Sequence, residues 1–328
     1  MLNKILKFLG VALLIVIIAA SGLLAYVKIA LPNVGAAPDL KVEITPEKVE
    51  RGKYLANHVM VCMDCHGTRD WTKFSGPMIE ENAGRGGEVF NQQFGFPGNF
   101  IAKNITPFNL KNWTDGEIFR AITCGVNKDG KAFFPVMPYK YYAQADAEDI
   151  EAVIAYLRTL PEIDATHAES VADFPFNFIL NTIPEKANLQ QRPAKTDIVA
   201  YGKYMTTASG CMECHTKQEK GKVTGEFYAG GFEFNFGNGT LLRSPNITPH
   251  ETGIGNWNKQ QFIQRFKMYA DSTYVLPAVD MNKGEFQTVM PWTMYAGMTE
   301  EDLGAIFEYL KTVKPVNNTV VRFVALSK

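Results

Sequence analysis

The chain is 328 residues long with a net charge of −1, and 46% of it is hydrophobic. That length supports two ordinary domains with real cores, and the composition is that of a folded chain rather than a disordered one. No basic stripe or face is evident, so a nucleic-acid partner is not expected.

The chain opens with Lys4 and Lys7, followed by an uncharged run from Phe8 to Val27. A secretory h-region is about 7–15 residues long, whereas a bilayer span takes about 20. This run has the spanning length, and the lysines before it should stay cytoplasmic. Residues 1–30 are therefore expected to form a single-pass membrane anchor, with the remainder on the outer side of the membrane. A cleaved signal peptide is the alternative, since "IAAS" at 18–21 offers small residues to a peptidase. Residues 31–45, punctuated by Pro and Gly, read as an extended stalk.

Four of the five cysteines lie in two clusters, "CMDCH" at 62–66 and "CMECH" at 211–215. Cys-x-x-Cys-His is the attachment signature of c-type haem. Two thiols must reach two vinyl groups of one porphyrin, and the next imidazole must turn onto the iron. Positions i, i+3 and i+4 of a helical turn share one face, so the three groups can reach one ring. A zinc ribbon also uses paired Cys-x-x-Cys, but with about 15–20 residues between pairs. A thioredoxin-like dithiol needs one motif in a βαβ setting. Two covalently attached haem c groups are expected, with Cys62, Cys65 and His66 serving the first and Cys211, Cys214 and His215 the second. Cys124 has no partner at such spacing and reads as a small buried hydrophobe.

The chain also repeats itself. "GKY" precedes each cluster, "NITP" recurs at 104–107 and 246–249, and Trp113 and Trp257 follow these. "VMPYKYY" at 136–142 matches "VMPWTMY" at 289–295, and both halves close on an apolar periodic segment. In the first of these, Ile150, Val153, Ile154 and Leu157 recur at helical spacing. The repeat sets the expected boundaries at 46–160 for the first domain, 161–196 for a proline-punctuated linker and 197–328 for the second domain.

Of twelve methionines, Met137 and Met290 occupy equivalent places. Each precedes proline, which disfavours helix at the methionine and suits a thioether reaching inward from a loop. The expected iron ligands are therefore His66 and Met137 in one half, and His215 and Met290 in the other. His58 reads as an ordinary residue on the attachment helix and His167 as solvated. His250 is set aside because its first-half counterpart is Phe108.

With these motifs in hand, residues 46–314 resemble the tandem-domain cytochrome c family. They are most similar to the membrane-anchored multihaem cytochrome subunits that accompany bacterial alcohol, aldehyde and gluconate dehydrogenases. Those relatives commonly carry three haem domains, where this sequence has two. The resemblance extends to "DFPFNFIL" at 173–180. It implies an all-α fold: two tandem class I cytochrome c domains preceded by one N-terminal transmembrane helix. It further implies that the Pro77 carbonyl accepts a hydrogen bond from His66, with Glu226 at the equivalent place in the second half. Trp113, Trp257 and the NITP segments would then contact haem propionates.

The expected role is electron transfer without catalysis. The donor would be a quinol-oxidising or dehydrogenase partner, and the acceptor a terminal oxidase or soluble cytochrome. A fixed subunit of a dehydrogenase or respiratory complex is the alternative. A dihaem peroxidase also carries two such motifs, but it needs one iron with an open position.

Overall fold

The computed structural model describes residues 1–325. Helix α1 (Leu2–Ile29) carries the uncharged run from Phe8 to Val27, and no residue of it is buried against the rest of the chain. The first half contains α2 (Pro46–Tyr54), α3 (Cys62–His66), α4 (Pro107–Leu110), α5 (Asp115–Cys124), α6 (Tyr139–Tyr142) and α7 (Ala147–Thr159). A short α8 (Phe176–Ile179) lies in the linker. The second half contains α9 (Ile198–Ala208), α10 (Cys211–Cys214), α11 (Lys259–Lys267), α12 (Trp292–Tyr295) and α13 (Glu300–Leu310).

The frame of each half is one helix crossing. In the first, α2 crosses α7 so closely that a Cβ on Gly52 would lie 1.8 Å from the carbonyl oxygen of Ala152. In the second, α9 crosses α13, and a Cβ on Gly202 would lie 1.9 Å from that of Ala305. Only glycine permits these approaches. The apolar stripe read from the sequence faces inward, since Ile150, Val153, Ile154 and Leu157 are all buried. The helices after the two tryptophans begin with capping boxes, Thr114 with Glu117 and Asn258 with Gln261. Each box satisfies backbone donors that a helix start otherwise leaves open.

The all-α expectation is not met. The described residues hold four small antiparallel sheets, and the fold is mixed α/β, 41% helical with 10% strand. β1 (Thr68–Arg69) pairs with β2 (Met78–Ile79), while β3 (Val89–Phe90) and β4 (Gly98–Ile101) join β5 (Val171–Ala172) from the linker. β6 (Gln218–Glu219) pairs with β7 (Lys222–Val223), while β8 (Glu233–Asn235) and β9 (Thr240–Arg243) join β10 (Phe323–Ala325). The cause lies in the long segments between each attachment cluster and NITP. Their backbone N–H and C=O groups need partners wherever they are covered, and hairpins supply them. After each closing helix the chain runs back and adds one strand, Gly98 opposite Ala172 and Thr240 opposite Ala325. Strands of two to four residues are too short to show alternation in the sequence.

The halves differ by one residue before the cysteines, and the structure absorbs it locally. Where α9 runs regularly, the first half has a π-helical turn at Leu55–Val59, the usual way a helix accommodates an insertion. Both helices then break at a left-handed residue, Val61 at φ 46° and Gly210 at φ 63°. Such a backbone suits glycine but strains a β-branched valine.

The halves share one contiguous apolar cluster, in which Leu55, Ile154, Met205 and Leu303 are all buried. They also exchange polar contacts about an approximate two-fold axis. Tyr204 of α9 donates to Asp149 of α7 at 2.7 Å, and Tyr54 of α2 donates to Asp302 of α13. The Asp146 N–H reaches the Tyr204 hydroxyl at 3.1 Å, as the Thr299 N–H reaches that of Tyr54 at 3.1 Å.

Gly202→Ala tests the helix crossing. Alanine gains about 1 kcal/mol of helix propensity over glycine, but forced overpacking costs about 1–3 kcal/mol and often more against backbone. A net loss of stability is expected, measured as a lower denaturant midpoint with an unchanged slope.

Candidate functional site

The first attachment turn is α3, which carries Cys62, Cys65 and His66 on a single helical turn. His66 Nδ1 lies 2.6 Å from the carbonyl oxygen of Lys103. In the second half, His215 Nδ1 lies 2.8 Å from the carbonyl oxygen of Pro245. Lys103 and Pro245 each immediately precede an NITP segment, so the acceptor belongs to the repeat. The Pro77 carbonyl instead accepts the Asp70 N–H at 2.9 Å. Pro77 lies in the β1–β2 hairpin, whose own pairing uses that oxygen, and the expected His66–Pro77 bond gives way to His66–Lys103. Glu226, its expected counterpart, pairs with Lys314 at 2.8 Å.

An Nδ1–H donated to a carbonyl fixes the tautomer and leaves the Nε2 lone pair free for a metal. Burial depresses the basicity of both imidazoles, partly opposed by these backbone bonds. Two glycines make the arrangement possible. Gly86 and Gly230, both at φ 74°, donate to the carbonyls of His66 and His215 at 2.9 and 2.8 Å. A Cβ on either would sit 2.5 Å from the carbonyl carbon of Lys103 or Pro245. The loop bearing the acceptor is thus pressed against the histidine it holds.

The NITP segments are structural clamps. Thr106 and Thr248 are fully buried, and their hydroxyls donate to Asn104 and Asn246 at 2.7 and 2.8 Å. Asn104 in turn donates to the carbonyls of Ile163 and Ala165, and Asn246 to those of Val316 and Asn318. These threonine hydroxyls are therefore not free to meet a propionate. Trp113 is half-buried against the apolar cluster, and Trp257 is 36% exposed.

Met137 and Met290 lie in bends outside helices and pack, half-buried, against the same cluster. The following prolines adopt closely similar backbones, Pro138 at φ −81°, ψ 46° and Pro291 at φ −81°, ψ 65°. Tyr139 N–H then reaches the Met137 carbonyl, and Trp292 N–H the Met290 carbonyl, both at 2.8 Å. These are inverse γ-turns. Each turn is tied back to the attachment segment of its own half. Tyr142 donates to the Met60 carbonyl at 2.7 Å and Tyr295 to that of Ser209 at 2.6 Å. Met60 and Ser209 stand two residues before the first cysteine of each cluster. The sequence shows these tyrosines only as repeated letters; their role depends on the tertiary fold.

The second methionine turn is also held from the first half. Ser75, buried at φ 67°, donates its hydroxyl to the Met290 carbonyl at 2.7 Å and accepts the Trp292 N–H at 3.1 Å. Buried Gln287 accepts the Ser75 N–H and donates to the carbonyls of Trp71 and Lys73. Neither residue stood out in the sequence, because each acts across the two halves.

The remaining histidines are engaged elsewhere. His58 Nδ1 meets the Met294 carbonyl at 2.9 Å across the interface, where a Cβ on Gly297 would lie 2.1 Å from the ring. His167 Nε2 meets the Arg85 carbonyl at 2.8 Å, and His250 Nδ1 meets Thr252 in its own turn at 3.0 Å. Cys124 is buried.

The donor set fits haem c better than the other uses of paired cysteines. All five cysteines are unpaired. A dithiol catalyst needs a depressed thiol, whereas burial pushes Cys62 and Cys211 up to about 12. Among the described residues no three His, Cys, Asp or Glu side chains converge on one metal centre, as a zinc ribbon would require.

Comparison with known proteins agrees with this reading. The cytochrome c family model matches residues 199–314. The chain is 24% identical over 319 residues to the fructose dehydrogenase cytochrome subunit of Gluconobacter japonicus, covering 90% of this chain and 59% of that protein. It is 27% identical over 265 residues to a diheme cytochrome c-type protein of Cereibacter sphaeroides, covering 78% and 82%. It is 24% identical over 297 residues to the gluconate 2-dehydrogenase cytochrome c subunit of Pantoea cypripedii, covering 83% and 61%. The chain thus spans less than two thirds of the length of the two dehydrogenase subunits.

Ser75→Ala leaves the Trp292 N–H with only its γ-turn bond to the Met290 carbonyl. Loss of one such hydrogen bond costs about 0.5–1.5 kcal/mol. The expected result is faster amide exchange at Trp292 in the variant than in the parent protein, with exchange at Tyr139 unchanged.

Proposed function

We propose that this chain, which carries a cytochrome c domain over residues 199–314 and an earlier copy of the same site, is a dihaem electron-transfer subunit. Cys62 and Cys65 would hold one haem c through thioethers, with His66 and Met137 on its iron. Cys211, Cys214, His215 and Met290 would do the same for the second. Residues 46–160 and 197–328 would be the two haem domains, joined by the linker 161–196.

One observation carries the reading. In both halves the attachment histidine is fixed through Nδ1 by the carbonyl before NITP, and the Met-Pro turn is tied through a tyrosine to the residues before the cysteines. A chance pair of Cys-x-x-Cys-His motifs would not reproduce both ties twice.

When bound, haem supplies reversible one-electron chemistry. The chain's part is to hold that centre still and keep water from it. The Nδ1–carbonyl bond fixes the plane of each imidazole and raises its donor strength. Methionine as second ligand favours the reduced metal and raises its potential relative to bis-histidine ligation. The rigid γ-turns restrict movement of the thioether between oxidation states, which suits a carrier rather than an enzyme. Each short helix after a methionine leans on the other half: Tyr141 of α6 donates to Glu213 of α10 at 2.6 Å, and the Met294 carbonyl of α12 meets His58. The two sites therefore adjoin across the two-fold interface, as transfer between two centres requires.

The donor would be a quinol-oxidising or dehydrogenase partner, and the acceptor a terminal oxidase or soluble cytochrome. The names of the similar proteins favour a dehydrogenase cytochrome subunit. The 28-residue α1, with a mean hydropathy of 2.7 in its most apolar window, would hold the chain on the outer side of the cytoplasmic membrane. A peroxidase is less well supported, because both halves carry the same Met-Pro turn.

Intact-mass measurement of the exported protein is expected to show two added porphyrins. Met137→Ala and Met290→Ala should each turn one haem high-spin and lower its midpoint in a redox titration, leaving the other unchanged. If both haems keep low-spin spectra in either variant, that methionine is not a ligand.

A further inference from the structure

The segment 171–181 lies where the chain leaves α1. Asn181 Nδ2 reaches the Val27 carbonyl at 3.3 Å, and Lys28 Nζ sits 5.0 Å from the centre of the Phe178 ring. The uncharged run from Phe8 to Val27 is about 30 Å long at 1.5 Å per residue, the thickness of a hydrocarbon core. Val27 therefore marks the outer edge of that core, and the turn bonded to it stands at the same depth.

The turn is held from behind by the first half. Phe176 packs on Phe134 with ring centres 5.5 Å apart, and Phe134 stacks on Phe100 at 4.2 Å. β5 adds the preceding residues to β4 through Gly98 and Asn99. With Phe176 turned inward, Phe174 is 81% exposed, Val171 62% and Ile179 47%. Asp173, the acid beside them, accepts from Gln92 at 3.0 Å. Three large apolar side chains thus project from a rigid turn at the level of a bilayer surface.

We propose that Val171, Phe174 and Ile179 form a second membrane contact, an apolar foot entering the headgroup–acyl boundary of the outer leaflet beside α1. Burial of aromatic and aliphatic side chains at that depth is favourable. A single helix alone leaves the body free to tilt and turn about that helix. A second contact fixes which face of the protein looks along the membrane, and so where redox partners can approach. This rests on α1 being a retained anchor, as proposed above.

The test uses the full-length holoprotein in phosphatidylcholine–phosphatidylglycerol vesicles. Nitroxide labels are attached at Phe174→Cys, Ile179→Cys, Ile15→Cys in the anchor, and Glu219→Cys as an aqueous reference. Collisions with oxygen report lipid, and collisions with a water-soluble nickel complex report solvent. The expected result is loss of nickel collisions at 174, 179 and 15 relative to 219, with oxygen collisions retained. Nickel access at 174 and 179 with lipid-like behaviour at 15 overturns the foot and leaves the anchor standing. Nickel access at 15 as well removes the anchor and the foot together. Shielding of 174 and 179 from both reagents means that protein covers the turn, and it also overturns the proposal.

Discussion

Two buried carboxylates set the relative position of everything else. Asp149 and Asp302 are each 1% exposed, and an isolated charge so placed would cost several kcal/mol. Asp149 is satisfied by Arg51 of its own half through two bonds, by Arg192 of the linker and by Tyr204 of the other half. Asp302 is satisfied by Tyr201 of its own half and by Tyr54 of the other, with Lys195 at 3.9 Å. Neither aspartate has its full set of partners within one half. Because each lies on the closing helix that crosses the attachment helix, docking the halves also fixes the distance between their sites.

What the sequence made legible was the part written as repetition. The clusters at 62–66 and 211–215, the Met-Pro pairs and the NITP segments all fall at matching places in the fold. The closing helices also carry their predicted apolar stripe inward. Main-chain partners were not legible. Lys103 and Pro245 hold the two histidines with their carbonyls, which no side chain advertises, and expectation settled on Pro77. NITP was expected to face a ligand, but Asn104 and Asn246 use it to grip the returning chain. The strands were missed because pairs such as Thr68–Ile79 are formed by the needs of covered backbone and carry no alternating pattern.

The copies are equivalent in their core and different in their loops. Residues 71–75 reach from the first half onto 277–292 of the second, with Phe74 N–H on the Pro277 carbonyl and Val279 N–H on that of Thr72, at 2.9 and 2.8 Å. The Met290 turn is consequently braced from outside its own half. The Met137 turn follows Phe134, which is wedged among Phe96, Phe100 and Phe176. A polar brace and an aromatic brace give the two methionine turns different surroundings.

The one-residue difference between the copies has a history-like consequence. The extra residue in the first helix is taken up by the π-helical turn that carries His58, and His58 fits only because position 297 has no side chain. A length change in one copy is therefore matched by a vacancy in the other, and a side chain gained at 297 would displace the imidazole. Among relatives, residues 58 and 297 should change as a linked pair.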